Sequence, residues 1–229
     1  MSRAAHRRGR EVPSPWWSAS ELVLGIGLLA GAALAGYLLA KHPEENRLDA
    51  AGFWRLAADP TSRLANDLVK LGSLDGLLVG VALSFLVAIW RDWVRALACA
   101  AAPIAAVLVT ERVAKPMVGR AIGSGGYTYP SGTITAVAAV AAALYVVAPR
   151  LLRPLVGLVA LAGLVGTGWA VLVLRWHYPT DVIGGVLVGC GAVFVIDAAA
   201  HLMAYGLGWR RHRPVALVHP PLEETVQAR

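Results

Sequence analysis

Six apolar runs divide this sequence and limit what it can fold into. They cover residues 22–40, 74–90, 96–113, 133–148, 155–174 and 182–207. The hydrocarbon core of a bilayer is crossed by about 20 predominantly apolar residues at a rise of about 1.5 Å each. Runs of this length, repeated along a chain of 229 residues, predict an all-α, polytopic membrane protein. A six-transmembrane-helix bundle in one domain is the economical arrangement. Hydrophobic residues make up 57% of the chain and charged ones 15%, against about 25% charged in an ordinary soluble domain. Aromatics are only 7%, so Ala, Leu, Val and Gly fill the runs. Small residues let helix backbones approach closely in lipid.

The basic start, with Arg3, Arg7, Arg8 and Arg10, is followed by a run too long for a cleavable signal peptide. The first helix therefore doubles as an uncleaved targeting signal. The formal net charge of +7 does not indicate nucleic acid, because most of the excess lies beside the apolar runs. Its distribution sets an orientation instead. The N-terminal arm (1–19), Arg91 and Arg95, Arg150 and Arg153, and the tail with Arg210, Arg211 and Arg213 all fall on one side of a six-span chain. The positive-inside rule makes that side cytoplasmic. The expected organisation is a basic cytoplasmic arm (1–19), a membrane domain (20–208) and a basic, disordered cytoplasmic tail (209–229). The expected location is a cell inner (plasma) membrane, with both termini cytoplasmic. The loop 41–72 is extracytoplasmic and mixes Leu48, Phe53, Trp54, Leu64 and Leu68 with Arg and Asp. One or two interfacial helices broken near Pro60, or a solvated loop, both fit that pattern. Cys99 and Cys190 lie inside apolar runs without metal-ligand spacing and are expected to be small buried hydrophobes.

Three groups of polar residues stand out, and this topology places all three at the outer face. Arg112, Lys115 and Arg120 follow the third run. Tyr129-Pro130-Ser131-Gly132-Thr133 enters the fourth. Arg175-Trp176-His177-Tyr178-Pro179-Thr180-Asp181 joins the fifth to the sixth. Lys115, Arg120 and Arg175 supply positive charge. Ser131, Gly132 and Thr133 stand where a helix begins, and its free N–H groups and dipole favour an anion. His177 precedes Asp181 by four residues, so within one helical turn a carboxylate would hold one ring nitrogen and leave the other free. Cations, backbone donors and a nucleophile together suit phosphoryl transfer. Singly, each also fits a bland role: a snorkelling cation, a helix cap or a structural His. Asp197 and His201 in the last run are expected to be a structural pair near its cytoplasmic end. No metal-ligand cluster is visible, and no cofactor is expected.

These segments resemble the three signature motifs of the type 2 phosphatidic acid phosphatase superfamily. Lys115 stands at the Lys of the first motif, with Ile122 and Gly123 at its Arg-Pro and Arg120 two residues earlier. Pro130, Ser131 and Gly132 match the second motif, whose His is Thr133 here. His177 and Asp181 match the third, with Ala170 and Val171 at its Ser-Arg. The resemblance implies six helices and a site at one membrane face. His177 would form a phosphohistidine and Asp181 would orient it. Lys115, Arg120, Ser131, Gly132, Thr133 and Arg175 would bind the substrate's phosphate. The expected substrate is a lipid phosphate or diphosphate, such as a polyprenyl or glycerolipid phosphate, handled without metal and with membrane lipids as surroundings. Because the motif's general acid is absent, a catalytically weak or inactive relative that binds lipid phosphate or supports a membrane partner is the alternative. Oligomeric state is not readable.

Overall fold

The computed structural model describes residues 15–42, 46–56, 62–90, 92–122 and 126–207. Residues 1–14 of the expected N-terminal arm, Pro60, Arg91, Gly123 and the tail beyond 207 lie outside the described residues, whereas residues 15–19 of that arm are already the start of a helix. The described chain runs α1 (Pro15–Lys41), α2 (Arg47–Leu56), α3 (Arg63–Leu68), α4 (Leu74–Ile89), α5 (Trp93–Val109), α6 (Lys115–Val118), α7 (Gly132–Val147), α8 (Arg153–Val173) and α9 (Pro179–Gly206). A short 3-10 turn (Val69–Gly72) joins α3 to α4, and a π turn (Thr110–Ala114) joins α5 to α6.

Four helical stretches are long and apolar enough to cross a membrane: Trp16–Lys41, Trp93–Val118, Arg153–Val173 and Pro179–Gly206. Arg63–Gly72 with Leu74–Ile89, bent by 48°, makes a fifth if taken as one span. The remaining apolar segment, α7 from the fourth run, has only 16 residues, about 24 Å of helix. So the apolar runs are all helical, but length and composition support four or five spans rather than the expected six.

Helix α9 is the hub, packed by α1, α5 and α7. Small residues make this possible. A Cβ added at Gly185 would lie 2.8 Å from the Ser131 carbonyl oxygen, and one at Gly189 would lie 2.6 Å from that of Thr135. The α7 and α9 backbones are thus in direct contact, as lipid-embedded helices permit only through Gly and Ala. Ala96, Cys99, Ala102, Ala139, Ala143 and Val193 form the core beside them. Larger apolar side chains point outward: Leu34, Leu83, Leu86, Leu158, Leu161 and Val165 are all at least half exposed. Water would not tolerate a belt of that extent; lipid does.

The interior holds polar networks at both ends. Opposite the candidate site, buried Asp197 accepts from Arg95 Nε (3.2 Å) and Nη2 (2.8 Å). His201, also buried, lies 2.7 Å from the Asp197 carbonyl oxygen and 3.0 Å from Asp92 Oδ2. Asp92 caps α5 through the N–H groups of Val94 and Arg95. The Asp197–His201 pair thus ties α9 to the start of α5.

In the 41–72 segment, α2 and α3 are both helical. In α2 the polarity is inverted relative to a soluble helix: Leu48 is exposed, whereas Asp49 is completely buried. The carboxylate finds its partners inside, at the site.

Candidate active site

The site assembles where α9 begins, from four parts of the chain. Helix α8 ends in a Schellman motif: Trp176 N–H donates to the Val171 carbonyl and Arg175 N–H to that of Leu172. Arg175 occupies the left-handed position at φ 60, where Gly is usual, and its side chain is exposed. The reversal delivers His177 and Tyr178 to the bundle interior, both 8% exposed. Pro179 opens α9, and Asp181 in its first turn accepts from Tyr178 N–H at 2.8 Å. The expected cap and the expected His partner are therefore one side chain. His177 Nδ1 lies 3.7 Å from Asp181 Oδ2 and has no hydrogen-bond partner in its buried position. A small rotation closes that contact, and catalytic hydrogen bonds are often long before ligand arrives. His177 itself precedes α9, so the pairing comes from the turn rather than from one helical face.

Arg120 lies behind this pair, fully buried. Its Nη1 donates to Asp181 Oδ1 (3.1 Å) and Thr180 Oγ1 (2.7 Å), and its Nη2 to Asp49 Oδ2 (2.6 Å). The guanidinium stacks 4.2 Å from the Tyr178 ring centroid. Asp49 also accepts from Thr180 N–H and Oγ1, both at 3.0 Å. Asp49 is the residue that sequence reading missed. Its partners lie 71 and 131 positions away, and nothing in a mixed-polarity loop signals such a contact.

Helix α7 enters on the other side. A cis Tyr129–Pro130 bond precedes Ser131. Ser131 caps α7 by accepting from Ile134 N–H at 3.4 Å, and its own N–H donates to the Asp181 carbonyl at 3.0 Å. The start of α7 is thus pinned to the start of α9. Tyr129 donates to the Ala32 carbonyl at 2.7 Å, and burial, reinforced by Asp181, pushes its phenol up to about 12. It stays protonated and braces α1. Thr133 does not face this cluster alone; a Cβ added at Gly72 would meet its carbonyl and Cγ2, so it packs against the 3-10 turn.

The π turn carries the last group. Lys115 Nζ donates to Glu111 Oε1 (2.7 Å) and Oε2 (2.9 Å). A Cβ at Gly132 would collide with Glu111 Oε1, with Lys115 Nζ at 3.6 Å. The Lys115–Glu111 pair therefore lies directly on the first residue of α7, and Arg112 beside it is exposed. Thr110 Oγ1, bonded to Thr135 Oγ1 at 3.3 Å, ties the turn to α7. Insertions of this kind recur at functional sites.

The structure thus brings His177, Asp181 and Arg120 into one network. It sets Lys115 on Gly132 and joins Ser131 to Asp181, with Thr133 one residue further along α7 and Arg175 exposed in the turn two residues before His177. Among the described residues no group of three or more His, Cys, Asp or Glu could hold a metal ion. Chemically, the arrangement offers a ring nitrogen 3.7 Å from a buried carboxylate, and a cation at a helix N-terminus.

Residues 109–205 match the family model of the PAP2 superfamily. The search of curated proteins gives no match. Among solved structures, the chain is similar to one described as the first transmembrane PAP2 type phosphatidylglycerolphosphate phosphatase from Bacillus subtilis. The TM-score is 0.59 at 19% identity, over 81% of this chain and 98% of that one. The family match spans the π turn, α7, α8 and all but the last residue of α9, and the structural match extends the same fold over most of the chain. Residues 109–205 thus carry the pattern of the PAP2 superfamily, within a chain whose apolar helices make it a multi-pass membrane protein.

Proposed function

We propose that this protein is a membrane lipid phosphatase that hydrolyses the phosphomonoester or diphosphate of a lipid through a phosphohistidine on His177. The reading is carried by one observation: His177 Nδ1 faces Asp181 Oδ2 at 3.7 Å, in a network anchored by Arg120. A carboxylate at one ring nitrogen leaves the other as nucleophile. The same residues stand at the positions of the family's third motif. Lys115, the Ser131 hydroxyl, the N–H groups of Gly132 and Thr133, and Arg175 receive the phosphate, with Arg120 holding Asp181. Six spans, with α7 short and the 63–89 pair bent, put both termini in the cytoplasm by the distribution of Arg, in an inner (plasma) membrane. The site then lies at the extracytoplasmic face. The substrate keeps its polyprenyl or acyl tail in the bilayer. Residues 20–208 form the membrane domain, flanked by the arm and the tail.

The test is phosphate release by purified protein in detergent, from polyprenyl and glycerolipid phosphates with EDTA present. His177→Ala should abolish release while keeping a monodisperse protein. Acid-labile phosphate trapped on the wild type, and absent from His177→Ala, should identify the intermediate. Release that survives in His177→Ala would refute the mechanism.

A second reading rests on a specific observation as well. Both motif-region cations are engaged by the chain's own carboxylates, Lys115 by Glu111 and Arg120 by Asp49 and Asp181, and Thr133 stands where the motif has His. A lipid-phosphate binder of little or no activity would bind these lipids through Lys115 and release no phosphate.

A further inference from the structure

The second-motif His supplies the leaving group's proton in the resembled family, and Thr133 has no group suited to that task near neutral pH. We infer that Glu111, on the π turn beside Lys115, is the general acid of this protein. The inference rests on the phosphatase reading above and concerns the same site.

Three observations carry it. The first is position: the Glu111 carboxylate sits on Gly132, the first residue of α7, one residue from Thr133. The second is retention: Lys115 Nζ holds both carboxylate oxygens, at 2.7 and 2.9 Å. Glu111 therefore stays beside the cation that would receive the phosphate. The third is access: the Glu111 side chain is 43% exposed, against 16% for Lys115 and 0% for Asp49 and Asp181. Of the four, Glu111 is the most open to an arriving substrate. Asp49 and Asp181 are each committed to Arg120.

The chemistry balances without an added reagent. A phosphomonoester monoanion carries one acidic hydrogen. On reaching Lys115 and the α7 N-terminus it meets the Glu111 carboxylate, which accepts that hydrogen. Lys115 turns its N–H groups from Glu111 to the phosphate oxygens. His177 Nε2 then forms the N–P bond as the P–O bond to the lipid breaks. The electron pair goes to the leaving oxygen, which takes the proton from Glu111 and departs as the lipid alcohol. In the second half, the water oxygen attacks phosphorus and both water hydrogens end on the phosphate, with Glu111 already back as the carboxylate. The N–P bond breaks and its electron pair returns to His177. The products are the alcohol and dihydrogen phosphate.

A general acid is recognised by its dependence on the leaving group. Wild type, Glu111→Gln and the double variant Glu111→Gln with Thr133→His would be assayed on dodecyl phosphate and on p-nitrophenyl phosphate. The alkoxide of the first needs a proton; the nitrophenolate of the second does not. Glu111→Gln should lose about 10²–10⁴-fold in kcat on dodecyl phosphate and little on p-nitrophenyl phosphate. It should still trap phosphohistidine from the latter, which shows it folded and nucleophilic. Thr133→His in the double variant should restore part of the alkyl activity. Equal losses on both substrates would overturn the inference, because Glu111 would then only position Lys115. Faster turnover by Glu111→Gln would also overturn it, by showing the carboxylate to be an obstruction. Unchanged rates on both substrates would refute Glu111 alone and leave the phosphatase reading standing. A wild type that releases phosphate from neither substrate and traps no phosphohistidine would overturn that reading, and this inference with it.

Discussion

Asp49→Ala tests whether the α2 segment is part of the site or a loose cover over it. Asp49 and Arg120 are both completely buried. The carboxylate accepts from Arg120 Nη2 at 2.6 Å and from Thr180 N–H and Oγ1 at 3.0 Å. Its removal strips Nη2 of its partner beside an Nε that already has none. Breaking a buried ion pair by deleting one member costs about 3–5 kcal/mol, since the remaining charge is left uncompensated. A loss of 1 kcal/mol lowers Tm by about 2–4 °C in a chain of about 150–250 residues, so the expected fall is about 6–20 °C. Thermal melting in detergent, read as the fraction still monodisperse on size exclusion, measures it. Asp49→Asn, which keeps an acceptor for Thr180, should lose less. Arg120→Met should cost less in the Asp49→Ala background than in the wild type, because only Asp181 and no longer Asp49 then loses its guanidinium. If Asp49→Ala melts within about 2 °C of wild type, below the low end of that range, the network does not organise the fold. The same conclusion follows if its effect simply adds to that of Arg120→Met.

Two further outcomes follow from packing. Gly185→Ala places a methyl 2.8 Å from the Ser131 carbonyl oxygen and 2.9 Å from Ile134 Cβ, neither of which can rotate away. Overpacking of this kind should cost about 1–3 kcal/mol. Gly163→Ala in α8 meets nothing within 4 Å and should melt at or above the wild-type temperature, which the same melting assay reads. At the opposite end, Asp197→Ala leaves Arg95 without its carboxylate and should lower Tm. The specific activity of the protein that remains folded should not change, because that cluster lies at the far end of α9 from Asp181. A loss of activity without a loss of stability would show that the two ends are coupled.

The helices were legible because the bilayer sets their length, and each apolar run became a helix. Their ends were not. The third run was expected to stop before Lys115, but the helical path continues through the π turn to Val118. Arg112 and Lys115 therefore ride on the helix that positions them instead of following it. A π turn has no apolar signature, so periodicity gives no warning of it. The His177–Asp181 pair was legible from spacing, although through a Schellman turn and a capping box rather than one helical face. Asp49 and Glu111 were not legible for a shared reason. An acidic residue at a membrane boundary looks solvated in one dimension, and only the fold shows whether a guanidinium or a helix N-terminus lies next to it.

The sequence shows cations near a candidate anion site, but their number matters less than their partners. Lys115 and Arg120 face Glu111, Asp49 and Asp181, so with His177 neutral the cluster carries one more negative charge than positive. A phosphate enters such a cluster only by exchanging partners, and the two cations differ in how readily they exchange. The Lys115–Glu111 pair is at the rim, with Glu111 43% exposed, and exposed pairs hold by about 0–1 kcal/mol. Arg120 is fixed by two buried carboxylates, a hydroxyl and an aromatic face, and pulling it away would leave buried charges at about 3–5 kcal/mol. An arriving phosphate therefore takes Lys115 and leaves Arg120 in place. Lys115→Ala should accordingly raise KM for a lipid phosphate with the fold intact, whereas Arg120→Ala should first be lost as folded protein. The reverse pattern would mean that Arg120 releases its carboxylates to bind ligand, and that the buried network is a latch rather than a frame.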